Sequence, residues 1–185
     1  MFGKRLAGIF FFFLLSSATA GEIPEELSRY CLKKGVDPKI VVAIARTEGL
    51  KGKGLFGVYP YVIRINAPYR IRGLKEVRPK VYDCRSREFC IAVSRWLVKH
   101  GILDFDMGTF QLNYYYQRER AKNIEEIAFD TRKAFKIVCD ITAENLRKAG
   151  YTANAVALYH SSRPIRNYRW AVRFWKEYRK IAKSP

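Results

Sequence analysis

Glu48 sits where an acid is out of place. Over residues 38–48 the apolar positions Val41, Ile44 and Ala45 follow helical spacing, and the next member of that i, i+3, i+4, i+7 series is Glu48. A carboxylate there continues a buried face into the last turn of a helix, where the partial negative charge of the helix end also disfavours an anion. Both effects are expected to raise its pKa and keep it protonated near neutral pH. Glycosidic cleavage requires such a group, because the leaving oxygen must take up a proton. Spacing alone leaves open a plainer role, an ion pair with Arg46 or another of the chain's many arginines.

A second set of polar side chains lies between 106 and 116, in the run DMGTFQLNYYY. Gly108, with no side chain, lets backbone come close to a ligand. Gln111 and Asn113 offer amide donors and acceptors for sugar hydroxyls or N-acetyl groups, unless the backbone takes them. Of Tyr114, Tyr115 and Tyr116, one or two rings can pack on a sugar face while at least one belongs to the core; Tyr115 is the site candidate. Most glycoside hydrolases use two carboxylates. Asp104 and Asp106 are the candidates for a second, although turn capping suits them better.

Helices must position these groups. Pro24 opens a helix over 24–34 that Gly35 closes, and Asp37-Pro38 reads as N-cap and first position of the Glu48 helix, 38–48, ended by Gly49. Further helices are expected over 86–100 (Phe89, Cys90, Val93, Trp96 and Leu97 inward), 131–149 (Phe135, Val138, Cys139 and Leu146 inward), 153–161 and 166–182. The last carries Ala171, Phe174, Trp175, Tyr178 and Ile181 on one face, as core or, alternatively, as a membrane-binding stripe. Between Gly49 and about Arg85 the pattern changes. Runs at 61–65 and 69–72 flank Asn66-Ala67-Pro68, which fits a small hairpin or irregular lobe.

Three stretches resemble the soluble lytic transglycosylases, in that family's order. Residues 35–49, GVDPKIVVAIARTEG, are similar to the helix that ends in the catalytic Glu. DMGTFQLN at 106–113 resembles the Gly–hydrophobic–hydrophobic–Gln–hydrophobic–Asn block. AVALYHS at 155–161 resembles the Ala-x-x-Tyr-Asn block, in a Tyr-His-Ser form like that of the branch associated with secretion-system and conjugation assembly. The resemblance runs from about 24 to 180. It departs from the family at Gly49, usually Ser, at Thr109, usually apolar, and at His160, often Asn.

The resemblance implies a mainly α-helical, lysozyme-like single domain with a small irregular or β-hairpin lobe, and a cleft walled by the Glu48 helix, the 106–116 block and Tyr159. It implies a lytic transglycosylase acting on peptidoglycan glycan strands, with Glu48 as acid/base, Tyr159 bonded to Glu48 or to substrate, and His160 in the site. The single Glu protonates the glycosidic oxygen, then takes the proton of the sugar's own 6-hydroxyl, which closes a 1,6-anhydro ring; an intramolecular nucleophile lightens the demand on the protein. No cofactor or metal is implied. The branch resemblance points to an envelope-spanning secretion or conjugation assembly as partner. A water-using muramidase on the same fold and a non-catalytic wall-binding scaffold are the alternatives.

Composition sets the compartment. Lys4 and Arg5, the apolar run Leu6–Leu15 and Ala18-Thr19-Ala20 read as a secretory signal peptide over 1–20, with a domain over 21–185 destined for the periplasm or cell envelope. The apolar run is too short for a spanning helix, which needs roughly 20 residues, so no transmembrane anchor is expected. Four cysteines in an exported chain favour disulfides over zinc, given the lack of C-x-x-C or H-x-x-x-H spacing. Three pairings are possible; Cys84–Cys90 closing a local loop with Cys31–Cys139 joining two helices is the one expected. The net charge of +18 suits a polyanionic partner. Export favours the cell wall or an anionic lipid surface over nucleic acid, which has charge alone in its favour.

Overall fold

A computed structural model of the 185-residue chain describes residues 23–183 apart from 151 and 162; the expected signal peptide lies outside the described residues. The chain is mainly α-helical with a small antiparallel sheet.

Helix α1 (Glu25–Lys33) follows Pro24, with Glu25 and Glu26 in its first turn and Lys33 in its last, each charge matched to its end of the helix dipole. Helix α2 (Pro38–Glu48) starts at Asp37, whose side chain accepts from the Lys39 amide at 2.9 Å. Five consecutive residues, Val41 to Ala45, have no exposed surface. A helix apolar on every side belongs inside the molecule. It is flanked by α1, by α6 (Thr131–Ala149) and by α8 (Pro164–Ala182).

The lobe after Glu48 is more regular than a single hairpin. Strands β1 (Leu50–Lys51) and β2 (Val58–Tyr59) pair first. A five-stranded antiparallel sheet then runs in the order β4-β5-β3-β6-β7, with β3 Val62–Ile65, β4 Lys75–Arg78, β5 Val81–Asp83, β6 Phe105–Met107 and β7 Leu112–Asn113. The expected pairing of 61–65 with 69–72 is not made. Arg64 of β3 faces Val81 on one side and Asp106 on the other. Residues 66–74 form a loop instead, consistent with Pro68, which has no N–H to donate and restricts the residue before it. The true hairpin, β4–β5, turns at Pro79-Lys80, where Lys80 takes a left-handed φ of 65°.

Helix α3 (Arg87–Lys99) is capped by Ser86, which accepts from the Phe89 amide. Its buried residues are Cys90, Ile91, Val93, Ser94 and Leu97; Phe89 and Trp96, expected inside, stand about half exposed on the outer side. Two short helices without a periodic apolar pattern, α4 (Tyr114–Gln117) and α5 (Ile124–Ala128), precede α6, and α7 (Ala153–Ala157) is shorter than the expected 153–161. Asp130 caps α6 through the Arg132 and Lys133 amides.

Both disulfides pair as expected. Cys31–Cys139 ties α1 to α6 with Cα atoms 5.7 Å apart, and Cys84–Cys90 ties the end of β5 to the first turn of α3 at 5.1 Å. Among the described residues no helix is long and apolar enough to cross a membrane.

Candidate functional site around Glu48

Glu48 ends α2 with its side chain 12% exposed, and its oxygen Oε1 meets two partners. The indole N–H of Trp170 donates to it at 2.7 Å, and Nδ1 of His160 lies 2.9 Å away. An indole can only donate, so Oε1 accepts there. The proton of the second bond can reside on either His160 or Glu48. Arg46, the plain partner considered from sequence, donates to the Phe56 carbonyl instead.

The partners are themselves held. Trp170 is fully buried on α8, its ring stacked against Phe174 at 5.2 Å and His160 at 5.7 Å, with interplanar angles of 11° and 8°. The three rings form a column beside the carboxylate. Sequence reasoning brought His160 to the site but missed Trp170. The α8 stripe was begun at Ala171; one turn before Phe174 on the same face stands Trp170.

Gly49 explains its own identity. A Cβ there would lie 2.2 Å from Cγ1 of Val58, 2.7 Å from the Thr109 carbonyl and 2.8 Å from the Ala45 carbonyl. The chain leaving α2 is thus pressed onto the 108–111 turn, and the serine of the resembled family has no room. Thr109, another departure, is buried with its hydroxyl 2.8 Å from that of Thr131, tying the turn to the start of α6.

The 106–113 block supports the site more than it offers free groups. Gly108 has φ +69°, and a Cβ would fall 2.0 Å from the Ala128 carbonyl; its close approach is to α5, not to a ligand as expected. Gln111, also left-handed at φ +50°, donates its side-chain amide to the Gly108 carbonyl at 2.9 Å. The backbone thus takes one of the two N–H donors proposed for sugar. The Asn113 amide donates to Asp106 at 2.8 Å and Asp104 at 2.9 Å, and its carbonyl oxygen caps α4. Tyr114 stacks on Phe105 and is the core ring of the three. Tyr115 is half exposed beneath Arg118, 4.5 Å from ring centre to guanidinium, and nothing described joins it to Glu48. Tyr159 does not bond Glu48: its hydroxyl donates to the Phe110 carbonyl at 2.8 Å. Burial, then the charges of Glu48 and Asp106, raise its pKa well above the ordinary phenol value, so it stays a neutral donor.

Asp106 is the second acid of the site. It is not a turn cap but the middle residue of β6, with Asn113 donating to Oδ1 and Asn66 to Oδ2. Burial pushes its carboxyl up to about 6. The hydrogen bonds from Asn113 and Asn66 and the charge of Arg64 pull it down, and the Glu48 carboxylate adds to the rise. Asn66, which also donates to Asp104 at 3.0 Å, was not singled out from sequence; its Asn-x-Pro setting reads as turn chemistry.

No protein-family model, no curated protein and no solved structure matches the chain.

Proposed function

We propose that the chain is an exported peptidoglycan lytic transglycosylase of the lysozyme-like kind, cleaving the β-1,4 bond between N-acetylmuramic acid and N-acetylglucosamine with Glu48 as the single acid/base. The observation that supports this most is the environment of the Glu48 carboxyl: mostly buried at the end of a buried helix, with both hydrogen bonds converging on Oε1. That leaves Oε2 as the oxygen to carry a proton to the glycosidic oxygen. With the N-acetyl group of the muramyl sugar assisting departure, the resulting carboxylate accepts the proton of the 6-hydroxyl as that oxygen closes onto the anomeric carbon. No external water enters. Tyr159, Gly108 and Gln111 serve this reading by fixing the turn that Gly49, next to the acid, packs on, and Asn113 by holding Asp106.

A second reading, a water-using muramidase, draws on Asp106, a buried acid close enough to Glu48 to feel its charge. Its two oxygens are each occupied by an asparagine amide, which favours a supporting role over direct attack. Mass spectrometry of digested cell walls separates the two. Anhydro-ended muropeptides are expected, and reducing ends alone would replace the first reading by the second. Glu48→Gln keeps the shape and removes the proton, so activity should fall by roughly 10²–10⁴-fold with wall binding retained. Full lysis by that variant rejects both readings, as a non-catalytic scaffold is rejected by lysis in the parent protein.

A further inference from the structure

Helix α8 has two faces with different tasks. The inner face buries Trp170, Phe174 and Ile181 and packs along α2. The outer face carries a second apolar stripe that none of the described residues covers: Ile165 is 75% exposed, Tyr168 72% and Val172 54%, at i, i+3 and i+7. On the same side of the helix stand the exposed cations Arg169, Arg173, Lys176 and Arg179. The helix contains one acid, Glu177, which is only 18% exposed and paired with Lys180 at 2.7 Å.

We propose that this outer face docks on an anionic phospholipid surface. The charge is of one sign and points outward, which selects an anionic partner. The apolar stripe then separates lipid from other polyanions. Nucleic acid backbones reward the cations but leave Ile165, Tyr168 and Val172 without gain, whereas a lipid headgroup region takes apolar side chains into its acyl boundary and tyrosine at its polar level. The helix is too polar to span a bilayer, so it lies on the surface. Its opposite face holds Glu48 through Trp170, so a docked α8 carries the acid site at a fixed height above the leaflet.

The test is co-sedimentation with vesicles of phosphatidylcholine, with and without phosphatidylglycerol. The parent protein and two variants are used in the same processed form, so that any contribution of the N-terminal residues is shared. The parent is expected to bind the anionic vesicles, to lose binding as salt rises, and to bind neutral vesicles poorly. Ile165→Ser/Tyr168→Ser/Val172→Ser should keep the parent melting temperature, because the three side chains are exposed, and lose at least about tenfold in vesicle affinity. Arg169→Gln/Lys176→Gln should lose roughly fivefold per cation. Unchanged vesicle affinity in the triple serine variant overturns the proposal, as does equal binding to neutral vesicles. Affinity for duplex DNA is measured in parallel. DNA binding that falls with the triple serine change as far as vesicle binding does also overturns it, whereas DNA binding left at the parent level supports a lipid-specific role for the stripe. These readouts involve no wall cleavage and stand or fall apart from the assignment of Glu48.

Discussion

The indole nitrogen of Trp170 lies 2.7 Å from Oε1 of Glu48, from a residue 122 positions further along the chain. The bond joins the two longest-separated parts of the site and does so inside the α2–α8 interface, where water is scarce and an unmade hydrogen bond is costly. Trp170→Phe retains a ring for the stack with Phe174 but removes the donor, together with part of the buried ring volume. Leaving Oε1 short of a partner should cost roughly 1–3 kcal/mol of stability and lower turnover on purified cell walls. Parent-like turnover in that variant, measured alongside its melting temperature, would show that the indole only packs.

His160 shares the same oxygen but from a more exposed position, its side chain 26% exposed. Asparagine, common at this place in the resembled family, would set an amide against the carboxyl in place of the ring. His160→Asn keeps a donor for Oε1 and should leave the melting temperature nearly unchanged. It should lower turnover on purified cell walls modestly, because the amide meets the carboxyl with a different reach and shape. His160→Ala should lower turnover further, because it also frees the Glu48 side chain to move. Parent-like turnover in both variants would confine the histidine to a packing role.

Asp106 makes the stability of the fold depend on pH in an uncommon direction. Burial raises its carboxyl from 3.8 to about 6, so between these values the folded chain binds a proton that the unfolded chain has released. The neutral form's contribution is complete below about pH 4 and is lost as pH rises through about 6. Its size is roughly 2–3 kcal/mol. Denaturant midpoints of the parent should therefore fall across this window relative to those of Asp106→Leu, once differences at the other carboxylates cancel between the two proteins. Carboxyl carbon shifts would place the Asp106 midpoint near 6; a midpoint near 4 would sink the prediction.

What could be read from sequence was what depends on near neighbours. Asp37 caps α2 because its side chain reaches an amide two residues on. Glu48 stood out because an apolar period of a single helix runs into it. Of three possible disulfide pairings, the expected one joined Cys84 to Cys90 as a local loop and Cys31 to Cys139 across two helices, and it is the one formed. Two of the failures, at Gly108 and Tyr159, share a cause, a partner distant in the chain. Gly108 was read as room for a ligand, but its neighbour is the Ala128 carbonyl on a five-residue helix with no period to announce it. Tyr159, expected to bond Glu48 or substrate, donates to the Phe110 carbonyl. Phe89 and Trp96 were placed inside because they are apolar. The other side of α3 is filled by Ile91 and Ser94, and Ser94 spends its hydroxyl on the Cys90 carbonyl within its own helix.

Gly49 offers the sharpest test of how the site is assembled. Serine follows the acid in the resembled family, so Gly49→Ser would restore a hydroxyl to the position after Glu48. The new Cβ would meet three atoms closer than 3.0 Å, two of them backbone carbonyl oxygens, of Thr109 and Ala45. A side chain such as Val58 can rotate away, but Ala45 is fixed inside α2, and the Thr109 turn is fastened by Thr131 on one side and by the Gly108–Ala128 contact on the other. Gly49→Ser should therefore cost roughly 1–3 kcal/mol and displace Glu48 from the Trp170 indole, lowering turnover as well. Adding Val58→Ala removes the softest of the three contacts and should recover little. If the double variant regained the parent denaturation midpoint, the constraint on Gly49 would lie in the valine side chain and not in the backbone of the 108–111 turn.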